Sequence, residues 1–187
     1  MAQRSTPSAP TPASLHAAAL SYLARFAATE AGLRAVLDRR IDRWARTATD
    51  QQEAVAPLKQ EARQIAARLT ASGLVNDAEY AQHRAAGLLR AGRSRRAITA
   101  RLAAKGVSED LARAALPDDP EAELDAALVL ARKRRIGPFR RGDAPDLPGK
   151  RRELAVLAQA GFPQPVAAKA LTMATEEAEA RVLAFRQ

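Results

Sequence analysis

The chain has 187 residues, a formal net charge of +9, a pI near 10.9 and no cysteine. The absent cysteines exclude disulfides, thiolate metal sites and a cysteine nucleophile, while the basic excess points to an anionic partner, nucleic acid first. Hydrophobic residues reach 47% but aromatics only 4%, so alanine and leucine must do most of the burying. Both are strong helix formers, and alanine faces bury little area each, which suits a string of thin helical layers better than one thick globule.

The first stretch, Met1 to Ala13, reads MAQRSTPSAPTPA. Its prolines, serines and threonines mark a disordered tail over 1–13 and lack the apolar middle of a signal peptide. No window approaches eighteen apolar residues, so no membrane contact and a cytoplasmic protein are expected. A first helix is predicted from Ser14 to Ala27. A second runs from Glu30 to Arg46, capped by Thr29, with Leu33, Val36, Leu37, Ile41 and Trp44 on one face. Arg39, Arg43 and Arg46 share its flank, and Asp42 is placed to pair with Arg46 at i,i+4.

A polar segment, Thr47 to Ala56, leads to a helix from Pro57 to Ala71 carrying Ile65 and Leu69 and stopped by Gly73. Asn76 and Glu79 resemble a capping box for a helix that ends near Ala91, before Gly92. Ser94 caps the next helix, with Ile98 and Leu102, which stops at Gly106. Ser108 caps another. Asp119 and Pro120 open a helix to about Ile136. The stretch 137–149, GPFRRGDAPDLPG, reads as a loop. The C-terminal part is helical again, either continuous from Pro165 to Phe185 or bent near Thr172 and Thr175. No run alternates as a strand would.

An internal repeat is visible. LAAKGVSEDLARAAL, Leu102 to Leu116, aligns without gaps on LAQAGFPQPVAAKAL, Leu157 to Leu171. Gly106 matches Gly161, and Val107 matches Phe162. Each copy is a helix, a glycine stop, an apolar residue and a new helix start. Such a unit cannot bury its apolar face alone and needs a third helix or a neighbour. The helix count permits three units of three helices, at 14–73, 76–117 and 119–185, the last carrying the loop 137–149. The expected fold class is therefore all-α, built of tandem three-helix, helix-turn-helix-like repeats.

Three basic clusters are candidate binding sites. Arg90, Arg93, Arg95 and Arg96 straddle the Gly92–Ser94 turn. Arg132, Lys133, Arg134 and Arg135 end a helix, with Arg140 and Arg141 following. Lys150, Arg151 and Arg152 open the next helix. The helix dipole favours cations at a C-terminus, a purely structural reason for 132–135, but disfavours them at a start. Arginine's planar fork suits phosphate and carboxylate alike, so the anion is DNA or an acidic protein face. Tyr22, Trp44 and Tyr80 fall on apolar spacings and read as core. His16 and His83 lie in separate helices without metal-ligand spacing, and neither a phosphate-binding glycine loop nor a GxSxG elbow occurs. The chain reads as a non-enzyme that needs no cofactor.

Three stretches together resemble the RecX family of recombinase regulators: Tyr22 to Arg40, Leu69 to Leu116, and Lys150 to Phe162. The middle one is the most specific, with Gly73-Leu74, Asp77 and Tyr80-Ala81, then Gly92, Ser94 and Ile98, then Lys105-Gly106-Val107. The resemblance implies an elongated, curved rod lying in the groove of the RecA filament. It implies inhibition of filament growth, ATP hydrolysis and strand exchange, and binding to single- and double-stranded DNA with little sequence preference. The chain is expected to act as a monomer. The competing reading is a sequence-independent architectural DNA-binding protein indifferent to RecA. The second predicted helix departs from the family pattern, running to Trp44 without a glycine stop, as does the loop 137–149.

Overall fold

A computed structural model describes residues 8–116, 119–143 and 145–185. Among them lie ten α-helices and no strand: α1 (Pro12–Leu23), α2 (Glu30–Ala45), α3 (Val55–Ala71), α4 (Asp77–Arg90), α5 (Arg95–Ala103), α6 (Glu109–Ala114), α7 (Pro120–Arg134), α8 (Leu147–Gln159), α9 (Gln164–Thr172) and α10 (Thr175–Phe185). Short 3₁₀ turns precede α3, at Thr49–Ala54, and α8, at Gly137–Phe139.

The chain divides into two compact units, Met1–Tyr80 with Lys105–Val107, and Ala81–Ala104 with Ser108–Gln187. In the first, the expected apolar stripe of α2 meets α1 and α3. Leu15, Leu33, Leu37, Ile41 and Ile65 are fully buried and form one cluster with Leu69 and Val75. Trp44 lies in a smaller cluster with Ala45 and Ala48, against which Ala9 packs. In the second unit α7 is the central helix: Leu124, Leu128, Val129 and three of its alanines are buried, and α9 and α10 pack against it.

Several elements differ from the sequence reading. Helix α1 starts at Pro12, because Thr11 and Ser14 form a capping box and proline fits the first turn. The expected disorder of 8–13 is thus not seen, and its part over 1–7 lies outside the described residues. Asp42 does not take Arg46; it pairs with Lys59 of α3 at 2.7 Å. The loop is shorter than 137–149, since Asp146 caps α8 by accepting from the Gly149 N–H at 2.8 Å. Of the two courses open to the last helix the bent one is seen, with α9 ending at Thr172 and Met173 extended at φ −63°, ψ 148°. The break lets α10 fold back on α7. There Ala178 and Val182 are buried, and Arg181 Nε reaches Asp125 Oδ1 at 2.6 Å and Nη2 reaches Glu121 Oε2 at 2.8 Å.

The two copies of the internal repeat share one backbone course. Gly106 and Gly161 both stop a helix at positive φ, +81° and +93°, a region an L side chain enters only with strain. The apolar residue that follows is buried in each case, Val107 and Phe162.

An arrangement at these turns recurs that the sequence did not announce. In the first unit the buried Thr29 hydroxyl, at the cap of α2, donates to the Lys105 carbonyl at 2.6 Å, and the Glu30 N–H donates to Asp77 Oδ1 at 2.8 Å. In the second unit the buried Ser94 hydroxyl, at the cap of α5, donates to the Ala160 carbonyl at 2.6 Å, and the Arg95 N–H donates to both oxygens of Glu123, at 3.2 and 3.0 Å. Lys105 and Ala160 occupy equivalent places, each just before its glycine. A cap hydroxyl and a carboxylate thus satisfy each helix N-terminus, and a β-carbon on either glycine would intrude. On Gly106 it would collide with Ala31 Cβ, and on Gly161 it would lie 2.7 Å from Ser94 Oγ.

Candidate nucleic-acid interface

The first basic cluster is built on the turn between α4 and α5. Gly92 takes φ +79°, and its backbone presses on α7: a β-carbon there would lie 2.9 Å from Val129 Cγ1 and 3.0 Å from the Leu130 nitrogen. Arg90 ends α4, Arg93 lies in the turn, and Ser94 accepts from the Ala97 N–H at 3.2 Å to open α5.

The second cluster ends α7. Arg132, Lys133 and Arg134 occupy its last turn, where the dipole favours them. Arg135 caps it in the left-handed region at φ 56°, an unusual place for a residue with a side chain. Lys133 Nζ donates to the Ala91 carbonyl at 2.7 Å. That bond brings the α4–α5 turn, with Arg90 and Arg93 close to Ala91 in the chain, to the end of α7, although the two clusters lie far apart in the sequence. Arg90, Arg93, Arg96, Arg132, Arg134 and Arg135 of the second unit are all exposed, and none has a carboxylate partner among the described residues.

Arg95 and Arg96 stand at the positive end of α5, where the dipole opposes them. Glu123 offsets this from below, accepting from the Arg95 backbone. It is only 4% exposed, and burial pushes its carboxyl above the ordinary 4.5, with the Arg95 hydrogen bond and charge pulling the other way. Arg95, Arg96 and Glu123 line a cleft of about 500 Å³ with Ala158, Gly161, Phe162 and Pro163. Phe162 is itself buried, so the cleft offers cations and no free aromatic face.

The third cluster sits on α8 at its second turn, because the helix starts at Leu147. Lys150 donates its N–H to the Asp146 carbonyl at 2.9 Å, so these cations lie past the unpaired amides of the first turn and the dipole opposes them less than expected. Lys150, Arg151 and Arg152 are exposed, and no hydrogen bond or ion pair among the described residues links them to the other two clusters.

Arg140 stands apart from the other candidates. Its Nε lies 3.1 Å from Glu153 Oε1, the Glu153 carboxylate also accepts from the Gly137 N–H at 3.2 Å, and both side chains of the pair are largely buried. Arg140 therefore ties the loop to α8, whereas Arg141 stays exposed. Neither Glu123 nor Glu153 was legible as a site residue, since both read as ordinary helix acids in the sequence.

Tyr22 and Tyr80 are half-buried and Trp44 is buried. His16 and His83 are exposed on α1 and α4. Among the described residues no three of histidine, cysteine, aspartate or glutamate are placed to hold a metal ion, and no helix is long and apolar enough to cross a membrane.

Comparison with known proteins agrees with this architecture. A family model described as RecX, second three-helix domain, matches residues 76–116. The regulatory protein RecX of Myxococcus xanthus is 39% identical over 164 residues, covering 86% of this chain and 86% of that protein. That of Agrobacterium fabrum is 39% identical over 105 residues, covering 56% and 55%. The crystal structure of RecX from Lactobacillus salivarius superposes with a TM-score of 0.61 over 90% of this chain and 97% of that one, at 18% identity, and shares its fold of helical repeats. With identity of this level over most of its length, and with tandem three-helix repeats in its fold, the chain belongs to the RecX family of regulatory proteins.

Proposed function

We propose that this chain regulates the RecA recombinase by binding its filament on DNA and restraining filament assembly, ATP hydrolysis and strand exchange, thereby influencing recombination and DNA repair. The observation that carries this reading is the meeting of the α4–α5 turn with the basic end of α7 through the Lys133–Ala91 bond, in a unit where Arg90, Arg93, Arg96, Arg132, Arg134 and Arg135 are exposed and have no carboxylate partner among the described residues. Like charges on neighbouring turns of one helix, such as 132–135, repel unless an anion lies over them. The dipoles of α4 and α7 account for Arg90 and for Arg132 to Arg134, but not for Arg93 or Arg96.

A filament supplies anions of two kinds, DNA phosphates and the carboxylates of the recombinase, and arginine forks bind both. Bridging neighbouring subunits, or a subunit and DNA, would slow the exchange of subunits on which assembly and turnover depend. No cofactor takes part. The acting species is a cytoplasmic monomer built of helical segments at 14–73, 76–117 and 119–185, the last holding the four helices α7 to α10. Lys150, Arg151 and Arg152 form a separate contact of the same kind.

Co-sedimentation with RecA filaments on single-stranded DNA tests the proposal. The wild-type chain is expected in the pellet, and R90E/R93E and R132E/R134E largely in the supernatant. Equal pelleting of both variants, with their helical content intact, would overturn the assignment of this surface. Binding to bare DNA with no retention on filaments would favour the architectural reading instead.

A further inference from the structure

The arginines of α2 belong to no cluster discussed so far. Arg39, Arg40, Arg43 and Arg46 are all exposed. The sequence places two acids among them, Asp38 and Asp42, either of which could neutralise the row. In the first unit neither does. Asp42 is drawn away to Lys59 of α3 at 2.7 Å, and Lys59 also feels Asp38, which with the Asp42 hydrogen bond holds its ammonium above its ordinary pKa. Asp38 Oδ1 is buried and has no hydrogen-bond partner. Lys59 thus holds Asp42 toward α3, and Asp38 is turned inward with a buried oxygen. The four arginines are left without a carboxylate partner among the described residues.

A helix-dipole account covers only the end of the row. Arg43 and Arg46 lie at the C-terminus of α2, but Arg39 and Arg40 lie well before it. Beside the row, Arg40 and Arg43 line a cleft of about 510 Å³ with Trp44, Thr47 and the segment Ser8–Thr11. Trp44 is 6% exposed, so it forms the wall of that cleft and presents no face for a base.

We infer that this face of α2 is a second polyanion-binding site, one that takes the phosphodiester backbone of duplex DNA through phosphate contacts alone. From residue 39 to residue 46 the helix rises about 10 Å. Duplex DNA presents about six phosphate charges over that length, about three on each strand, a spacing comparable to that of the four arginines. Guanidinium groups with no aromatic platform between them read charge and spacing but not sequence. Each compact unit then carries its own cationic face.

This inference shares with the proposed function only the kind of ligand. It concerns different residues in the other unit, and its deciding readout is duplex binding without recombinase, so each stands or falls alone. The full chain is titrated onto a fluorescein-labelled duplex, followed by anisotropy between 50 and 200 mM salt. R40Q/R43Q and R39Q/R46Q are compared with wild type, and circular dichroism melting establishes that each is folded. Each lost phosphate contact lowers the slope of log K against log salt by about 0.9. Each double variant is therefore expected to lower it by nearly 2. Over that salt range the wild type then loses about tenfold more affinity than either variant. Slopes unchanged in both folded variants would overturn the inference. If the same variants also lost binding to RecA without DNA, the face would belong to an acidic protein surface instead.

Discussion

Replacing Ser94 with alanine tests the turn on which the first basic cluster stands. The hydroxyl has two jobs. It accepts from the Ala97 N–H at 3.2 Å as the cap of α5, and it donates to the Ala160 carbonyl at 2.6 Å. Losing a serine cap costs about 1 kcal/mol. Stranding a partly buried carbonyl adds about 1 kcal/mol more, the lower end of the range for unsatisfied groups. A loss of about 2 kcal/mol in a unit of about a hundred residues lowers its melting temperature by roughly 10 °C. Thermal unfolding followed at 222 nm reads this directly, with S94T as the control because Thr29 does the same work in the other unit. The structure also couples Ser94 to Gly161. Gly161→Ala alone puts a β-carbon 2.7 Å from Ser94 Oγ at φ +93°. S94A removes that oxygen, so the double variant should lose at least 0.5 kcal/mol less than the sum of the singles, a typical coupling for residues in contact. A melting temperature lowered by under about 3 °C in S94A, or strict additivity with G161A, would refute this account of the turn.

Glu123→Gln tests the buried carboxylate. Its pKa is raised in the fold by burial, so the native state holds its proton to higher pH than the unfolded chain, and the group's contribution to stability declines as pH rises from about 4.5 through that raised value. The stability of wild type relative to E123Q should therefore fall between pH 4 and pH 7; a rise over that window would show the Arg95 hydrogen bond to outweigh desolvation. Arg181→Met removes both ion pairs of α10 and leaves Asp125 half-buried without its cation. We expect a loss of about 2 kcal/mol and faster amide exchange along α10, and unchanged exchange there would count against its role as the anchor of that helix. Arg140→Met should lower the melting temperature while changing DNA affinity less than Arg141→Met does, because Arg140 is committed to Glu153; the reverse order would make Arg140 a contact residue.

Much of the fold was legible in the sequence. Thr29, Ser94, Ser108 and Asp119 cap the helices they were expected to cap, because a short polar side chain before an apolar period is a strong local signal. Gly106 and Gly161 announced the repeated turn, since each sits at a backbone conformation glycine favours. Partner choice between helices was not legible. Asp42 has Arg46 one turn away and takes Lys59 instead, and that depends on how α2 and α3 pack. The break at Met173 follows from what α10 gains on α7, a tertiary gain that overrides a helical pattern. The site was legible as three clusters of charge and not as a surface. Only the packing of Gly92 on α7 brings Arg90 and Arg93 to the residues that follow Val129, and only Glu153 removes Arg140 from the set.

The most direct test of filament regulation is ATP hydrolysis by RecA on single-stranded DNA, titrated with this chain at substoichiometric ratios. We predict that hydrolysis falls at ratios well below one per RecA subunit, and that R90E/R93E and R132E/R134E need a several-fold higher ratio for the same effect. Hydrolysis unchanged by wild type at every ratio, with duplex binding intact, would contradict the central claim.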